Sequence, residues 1–108
     1  MKLLTQAIIK QLENHPLGST DGTPVKDVIV KFFTPDSSWT WYAVEGEKQE
    51  DGDWQFFGLV DGLEKEWGYL NLSELQSATG PFGLHVERDM YFNNKTIGMD
   101  SNTIRDKR

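Results

Sequence analysis

The stretch LHVERDMYF, residues 84–92, carries a histidine and two carboxylates at alternate positions. Side chains alternate along a strand, so His85, Glu87 and Asp89 would share one face, about 7 Å apart in steps of two residues. An imidazole and two carboxylates in a row are suited to binding a divalent metal or to acid–base work. The same alternation turns Leu84, Val86, Met90 and Phe92 inward. The plainer reading is therefore an edge strand whose polar face meets water, with His85, Glu87 and Asp89 as weak metal candidates only. Arg88 falls among the inward residues. A buried guanidinium needs a carboxylate, and Asp61, Glu64 or Glu66 is expected to supply it. Recognition of an anion is the alternative role for Arg88.

The other histidine, His15, stands beside Pro16, where an imidazole commonly caps the last carbonyls of a helix. The chain has no cysteine, which removes disulfides, thiolate zinc sites and cysteine nucleophiles. No nucleophile, base and orienting group fall into a recognisable pattern. The sequences DGDW and VDGLEKE lack the ligand spacing of a calcium loop, and no glycine-rich phosphate loop is present. No catalytic residue and no cofactor is assigned. The sequon at Asn94 carries no meaning for a cytoplasmic chain.

The elements that must position these groups are read from periodicity. Leu4, Ile8, Ile9 and Leu12 recur at helical spacing, which predicts a helix over 3–13, stopped by Pro16. Residues 15–24 read as a loop. Strands are predicted over 25–33, 39–45, 54–62, 67–72 and 84–92. TPDSS, residues 34–38, is a polar turn, and LSELQSA is a short second helix with Ser73 as its cap. The fold class is α+β: a five-stranded, mostly antiparallel meander with an N-terminal helix and a short second helix on one face. Residues 1–92 form a single domain, and 93–108 is expected to be a polar, flexible tail.

Net charge is −6. Between Glu45 and Glu66 lie eight acids and two bases, so this 22-residue stretch carries the whole excess. A body this acidic is not expected to coat nucleic acid, which needs clustered Lys and Arg. No apolar run reaches the roughly 18 residues of a membrane span. The start lacks a signal-peptide pattern. A soluble, cytoplasmic protein is expected.

Four tryptophans remain to be placed. Trp39, Trp41 and Ala43 share one strand face, and Trp54, Phe56 and Val60 share a face of the next strand. Phe57 and Leu59 lie opposite, as do Tyr42 and Val44. Both sheet faces are therefore apolar, and the helices can cover only one. Three readings compete: a core with aromatic ladders, a docking patch for a protein partner, and an aromatic pocket for a small ligand.

The motifs KFFTPDSSWTWY, FFGLVDGLEKEWGYLNLSEL and GPFGLHVERDMYF resemble a family of bacterial and plasmid- or phage-borne proteins termed a domain of unknown function, number twenty-nine fifty-eight. The resemblance runs from the first helix to about Phe92. It implies a one-domain prokaryotic protein, often encoded beside mobile elements, and implies no activity. The leading expectation is a non-enzymatic protein-binding or accessory module. Its candidate partner-binding residues are Trp39, Trp41, Trp54, Glu64, Glu66, Trp67 and Tyr69. A small metal-dependent enzyme using His85, Glu87 and Asp89, and an acidic mimic of DNA, are the alternatives. The oligomeric state is not legible in the sequence.

Overall fold

The computed structural model describes residues 1–107. The chain runs through α1 (Gln6–Glu13), β1 (Val25–Val28), β2 (Val30–Phe33), β3 (Thr40–Lys48), β4 (Trp54–Asp61), β5 (Lys65–Asn71), α2 (Leu72–Ser77), β6 (Glu87–Arg88), β7 (Lys95–Gly98) and β8 (Ile104–Asp106). Five strands form an antiparallel sheet in the order β5-β4-β3-β2-β6. The expected α+β architecture is thus present. A second sheet, β1-β7-β8, is added to it.

The helices cover the first face of the large sheet. Thr5 starts α1 by accepting a hydrogen bond from the Ile8 amide at 3.3 Å. The apolar stripe of α1 then sets Leu12, Ile8 and Leu4 on Phe32, Phe56 and Ala43. The second helix adds Leu75 and Leu72 to the same core. Its cap is Asn71, not Ser73. Ser73 instead donates from its amide and hydroxyl to Asp53, at 3.1 and 2.6 Å, so the neighbouring turn supplies the anion for this helix end.

The second face is covered by the part of the chain that reads as a tail. Where a loose segment is expected from Asn93, β7 pairs with β1 and β8 pairs with β7. Ile97 is fully buried there against Val28, Val44 and Leu59, with Phe92 and Ile104 packed around them. These strands are four and three residues long and mostly polar, too short for alternation to register. The predicted strand 25–33 is also divided. It breaks at Ile29, and its halves join different sheets.

Two local irregularities reshape the expected strands. A bulge between Ala43 and Glu45 resets the alternation of β3. Beyond it Glu45 stands opposite Phe57, and Gly46 stands opposite Phe56. The predicted strand 84–92 shrinks to the two residues of β6, opposite Phe33 and Phe32, because Gly83 at φ 81° bends its start and a turn closed by Phe92 N to Asp89 O ends it.

Candidate functional site: a tryptophan groove at one end of the sheet

The β2–β3 turn, the β4–β5 turn and the loop after α2 meet at one end of the large sheet. The first turn is closed by the Thr34 amide donating to the Trp39 carbonyl at 3.1 Å, with Thr34 and Ser37 hydroxyls hydrogen-bonded across it. From this turn Asp36 reaches over to the loop after α2. Its Oδ2 accepts from the amides of Phe82 and Leu84, at 2.8 and 3.4 Å. The carboxylate lies so close to Gly80 that a Cβ there would overlap it. Its Oδ1 is buried without a hydrogen-bond partner among the described residues. This one side chain joins two motifs, reaching amides 46 and 48 residues further along the chain.

Between the joined segments lies a groove of about 480 Å³. Trp39 and Trp41 form its floor, with ring centroids 6.1 Å apart and planes 29° from parallel. Thr34 and Ser37 form one wall, and Ala78 to Pro81 form the other. Trp39 is 39 % exposed, and its ring lies against Gly62, where a Cβ would collide with it. Phe82 and Leu63, on the two flanking turns, are 84 % and 93 % exposed. These two side chains form an exposed apolar rim at this end of the sheet, outside the lining of the groove itself.

The charges beside this rim are acidic. Asp61, Glu64 and Glu66 surround the β4–β5 turn, with Lys65 between them. Glu66 pairs with Val60 and Val60 with Trp41, so Glu66 shares the face of the groove floor.

The candidate partner-binding residues thus divide among three places. Trp39, Trp41, Glu64 and Glu66 gather at the groove end. Trp54 stacks on Phe56 at 6.4 Å and packs into the helix-side core. Trp67 and Tyr69 lie on the second face, each stacked or tilted against Phe57 at 5.7 and 5.1 Å. Trp67 also donates from Nε1 to Asn102 Oδ1 at 2.7 Å. Trp41, Trp54 and Trp67 are half-buried, whereas Trp39 and Tyr69 are open to solvent, at 39 % and 66 %.

The row of His85, Glu87 and Asp89 is not brought together. His85 is exposed and forms an isolated bridge with Thr79. Asp89 pairs with Lys31 at 3.3 Å and accepts from the Tyr91 amide at 3.0 Å. Among the described residues no group of three His, Cys, Asp or Glu is placed to hold a metal. Arg88 departs from expectation as well. It does stand on the first face, opposite Phe32. Its guanidinium donates to the Lys2 carbonyl, however, and not to Asp61, Glu64 or Glu66. Those acids lie across the sheet on β4, β5 and the turn between them, at least three strands from β6. His15 behaves as expected of a capping imidazole: Nδ1 is 3.0 Å from the Gln11 carbonyl.

One buried polar cluster escaped the sequence reading. Glu45, 2 % exposed, accepts from the Gly18 amide at 2.7 Å, the Thr20 amide at 2.9 Å and the Thr20 hydroxyl. Buried Lys26 donates to the Thr20 carbonyl and hydroxyl. Burial alone pushes the Glu45 carboxyl up. The Thr20 hydroxyl, the two amides and the Lys26 charge outweigh it and hold the group below its ordinary value. The bulge that aims Glu45 inward has no sequence signature.

Comparison with protein families decides the relationship. Residues 3–99 match the family described as "Protein of unknown function (DUF2958)". The chain belongs to this family. The match takes in the groove, its acidic flank, β5 and the first two strands of the added sheet; β8 lies beyond it. No curated protein and no solved structure matches the chain. No helix among the described residues is long and apolar enough to cross a membrane.

Proposed function

We propose that this DUF2958 protein is a non-enzymatic docking module. It holds a short cationic segment of a partner protein, with one apolar anchor residue, in the Trp39–Trp41 groove. The observation that carries this reading is the groove itself: an open aromatic floor whose two walls are tied to each other by Asp36 and fitted against Gly80. Preformed apolar clefts with a few polar groups at the margin are the usual form of a binding site. Partly exposed tryptophans dominate the energy of protein interfaces. The carboxylates of Glu66, on the face of the groove floor, and of Glu64, on the adjoining turn, favour Lys or Arg flanking the anchor, through complementarity that sets orientation and approach rate. A prokaryotic accessory role beside mobile elements, as the family resemblance implies, suits such a module. The cysteine-free chain suits a reducing compartment.

The test is selection from a random peptide library displayed on phage, followed by titration of the selected peptides. Enrichment of basic peptides with one aromatic or aliphatic anchor is expected. Trp39→Ala should weaken them at least about tenfold, the effect of losing some 1.4 kcal/mol. Added salt should weaken them further. No enrichment, or peptides that bind Trp39→Ala unchanged, would refute the assignment.

A further inference from the structure

We propose that β5 is a self-pairing edge, at which two copies of this chain join their large sheets across a two-fold axis at Gly68. The strand spans Lys65–Asn71 and pairs with β4 on one side. On the other side it ends the sheet order, so the alternate N–H and C=O groups of this seven-residue strand that point away from β4 have no strand beside them among the described residues, although the Asn71 amide is held by Glu74 Oε1 at 3.3 Å. An edge of this length is a template for another strand. The opposite edge, β6, is only two residues long.

The residues of β5 commit the edge to a second copy. Gly68 is the midpoint of Lys65–Asn71. An antiparallel copy centred there opposes every residue of the strand: Lys65 faces the second copy's Asn71, Glu66 faces Leu70, and Trp67 faces Tyr69. No like charges stand opposite each other, which antiparallel pairs would penalise. Tyr69 is 66 % exposed and would gain Trp67 of the second copy as its cross-strand neighbour. The row Phe57–Tyr69 would then continue unbroken into the second sheet, as Trp67 and Leu59. Moving the centre to Trp67 sets Tyr69 against Lys65, and moving it to Tyr69 sets Trp67 against Asn71. Only the Gly68 centre pairs both aromatics with each other.

Gly68 itself supports this. It lies outside the left-handed region, and a Cβ built on it meets nothing within 4 Å. Nothing among the described residues calls for a glycine there. Glycine within a strand often marks the close approach of another backbone. Closed two-fold pairing also caps the edge and prevents open-ended growth.

Sedimentation equilibrium from micromolar to millimolar protein should show a reversible monomer–dimer equilibrium. A Cβ at position 68 meets nothing in the monomer, and Gly68→Lys and Gly68→Glu each set two like charges face to face on the axis. Each should weaken dimerisation at least tenfold with unchanged circular dichroism, and an equimolar mixture of the two should restore the dimer. The chain has no cysteine, so Gly68→Cys reports directly. Opposed residues in antiparallel strands have Cα atoms about 4.5–5.5 Å apart, within the roughly 4.4–6.8 Å that a disulfide spans. Gly68→Cys should cross-link on mild oxidation, and Tyr69→Cys, displaced from the axis, should not. A wild-type protein that stays monomeric without a Gly68→Cys cross-link would overturn the proposal. So would a dimer indifferent to both charge variants.

Discussion

Glu45 and Asp36 do the same mechanical task in different surroundings. Each carboxylate leaves its strand or turn and holds a distant loop by that loop's backbone amides. Glu45 fastens the loop of residues 16–24 beneath the junction of the two sheets. Both its oxygens are occupied, and Lys26 is linked to it through Thr20. Asp36 fastens the loop after α2. Only its Oδ2 is engaged, and its second oxygen is left without a partner among the described residues. A saturated, buried carboxylate makes a fixed joint between layers. A half-used one makes a wall that stands beside an open groove. Polar networks cost most when only part of them is removed, so the two anchors should respond very differently to substitution.

Glu45→Ala is expected to have the largest effect. It removes the carboxylate of the cluster and leaves Lys26 buried without a compensating charge. Each buried donor left unpaired costs about 1–3 kcal/mol, so losing the acceptor of three such donors costs several kcal/mol, out of the roughly 5–15 kcal/mol that hold a domain of this size. The guanidinium chloride midpoint should fall accordingly with an unchanged slope. A loss under about 1 kcal/mol, the scale of an ordinary surface change, would break the comparison.

Acid tests the same joint by another route. The folded state holds the Glu45 carboxyl below its ordinary value of 4.5. The contribution is therefore fully present above that value and is lost as pH falls through the lower folded one. Denaturant midpoints should be flat above the ordinary value and decline below it. Glu45→Gln should remove most of the decline. A remnant should persist from Asp53, which the Ser73 hydroxyl and amide also hold low.

The contrast also explains what the sequence could reveal. The meander was legible because TPDSS and the Trp and Phe alternation on either side of it obey a period of two. The second apolar face was legible as a problem, since Phe57, Leu59, Tyr42 and Val44 needed cover, but its solution was not. Ile97 and Ile104 stand alone in short polar strands, and β7 pairs with β1 across about 70 residues of chain. Glu45 read as one more surface acid because the bulge that turns it inward leaves no pattern. The row His85, Glu87 and Asp89 misled for the opposite reason: clean alternation promised a strand, but pairing with β2 lasts two residues. At the candidate groove, Trp39 and Trp41 stood out by type, whereas Asp36 and Gly80 did not, since their contact exists only when the two motifs touch.

Gly80→Ala sharpens the comparison at the half-used anchor. A methyl group there must displace the Asp36 carboxylate. Overpacking of this kind costs about 1–3 kcal/mol, less than Glu45→Ala. Hydrogen exchange should speed up at the Phe82 and Leu84 amides and leave those of Gly18 and Thr20 protected. Peptide capture by the groove should fall with the lost wall. Unchanged exchange at Phe82 would mean that Asp36 does not hold the loop.

Arg88 supplies the smallest expected effect and a third case beside the two anchors. It too is a charge answered by backbone, since its guanidinium donates to the Lys2 carbonyl and no carboxylate pairs with it among the described residues. Its removal therefore strands no buried countercharge. Arg88→Met keeps the aliphatic stem that covers the sheet, and forfeits one hydrogen bond near the chain start. The expected loss is about 1 kcal/mol, the net worth of such a bond, where a buried ion pair would have cost several times more. The N-terminal residues should become more accessible to protease in the variant, because Arg88 also donates its amide to Met1 Sδ at 3.2 Å and the two contacts together hold the start against β6. A loss of about 3 kcal/mol or more, the signature of a stranded buried charge, would place a carboxylate partner back at Arg88 and put it beside Glu45 rather than below Asp36.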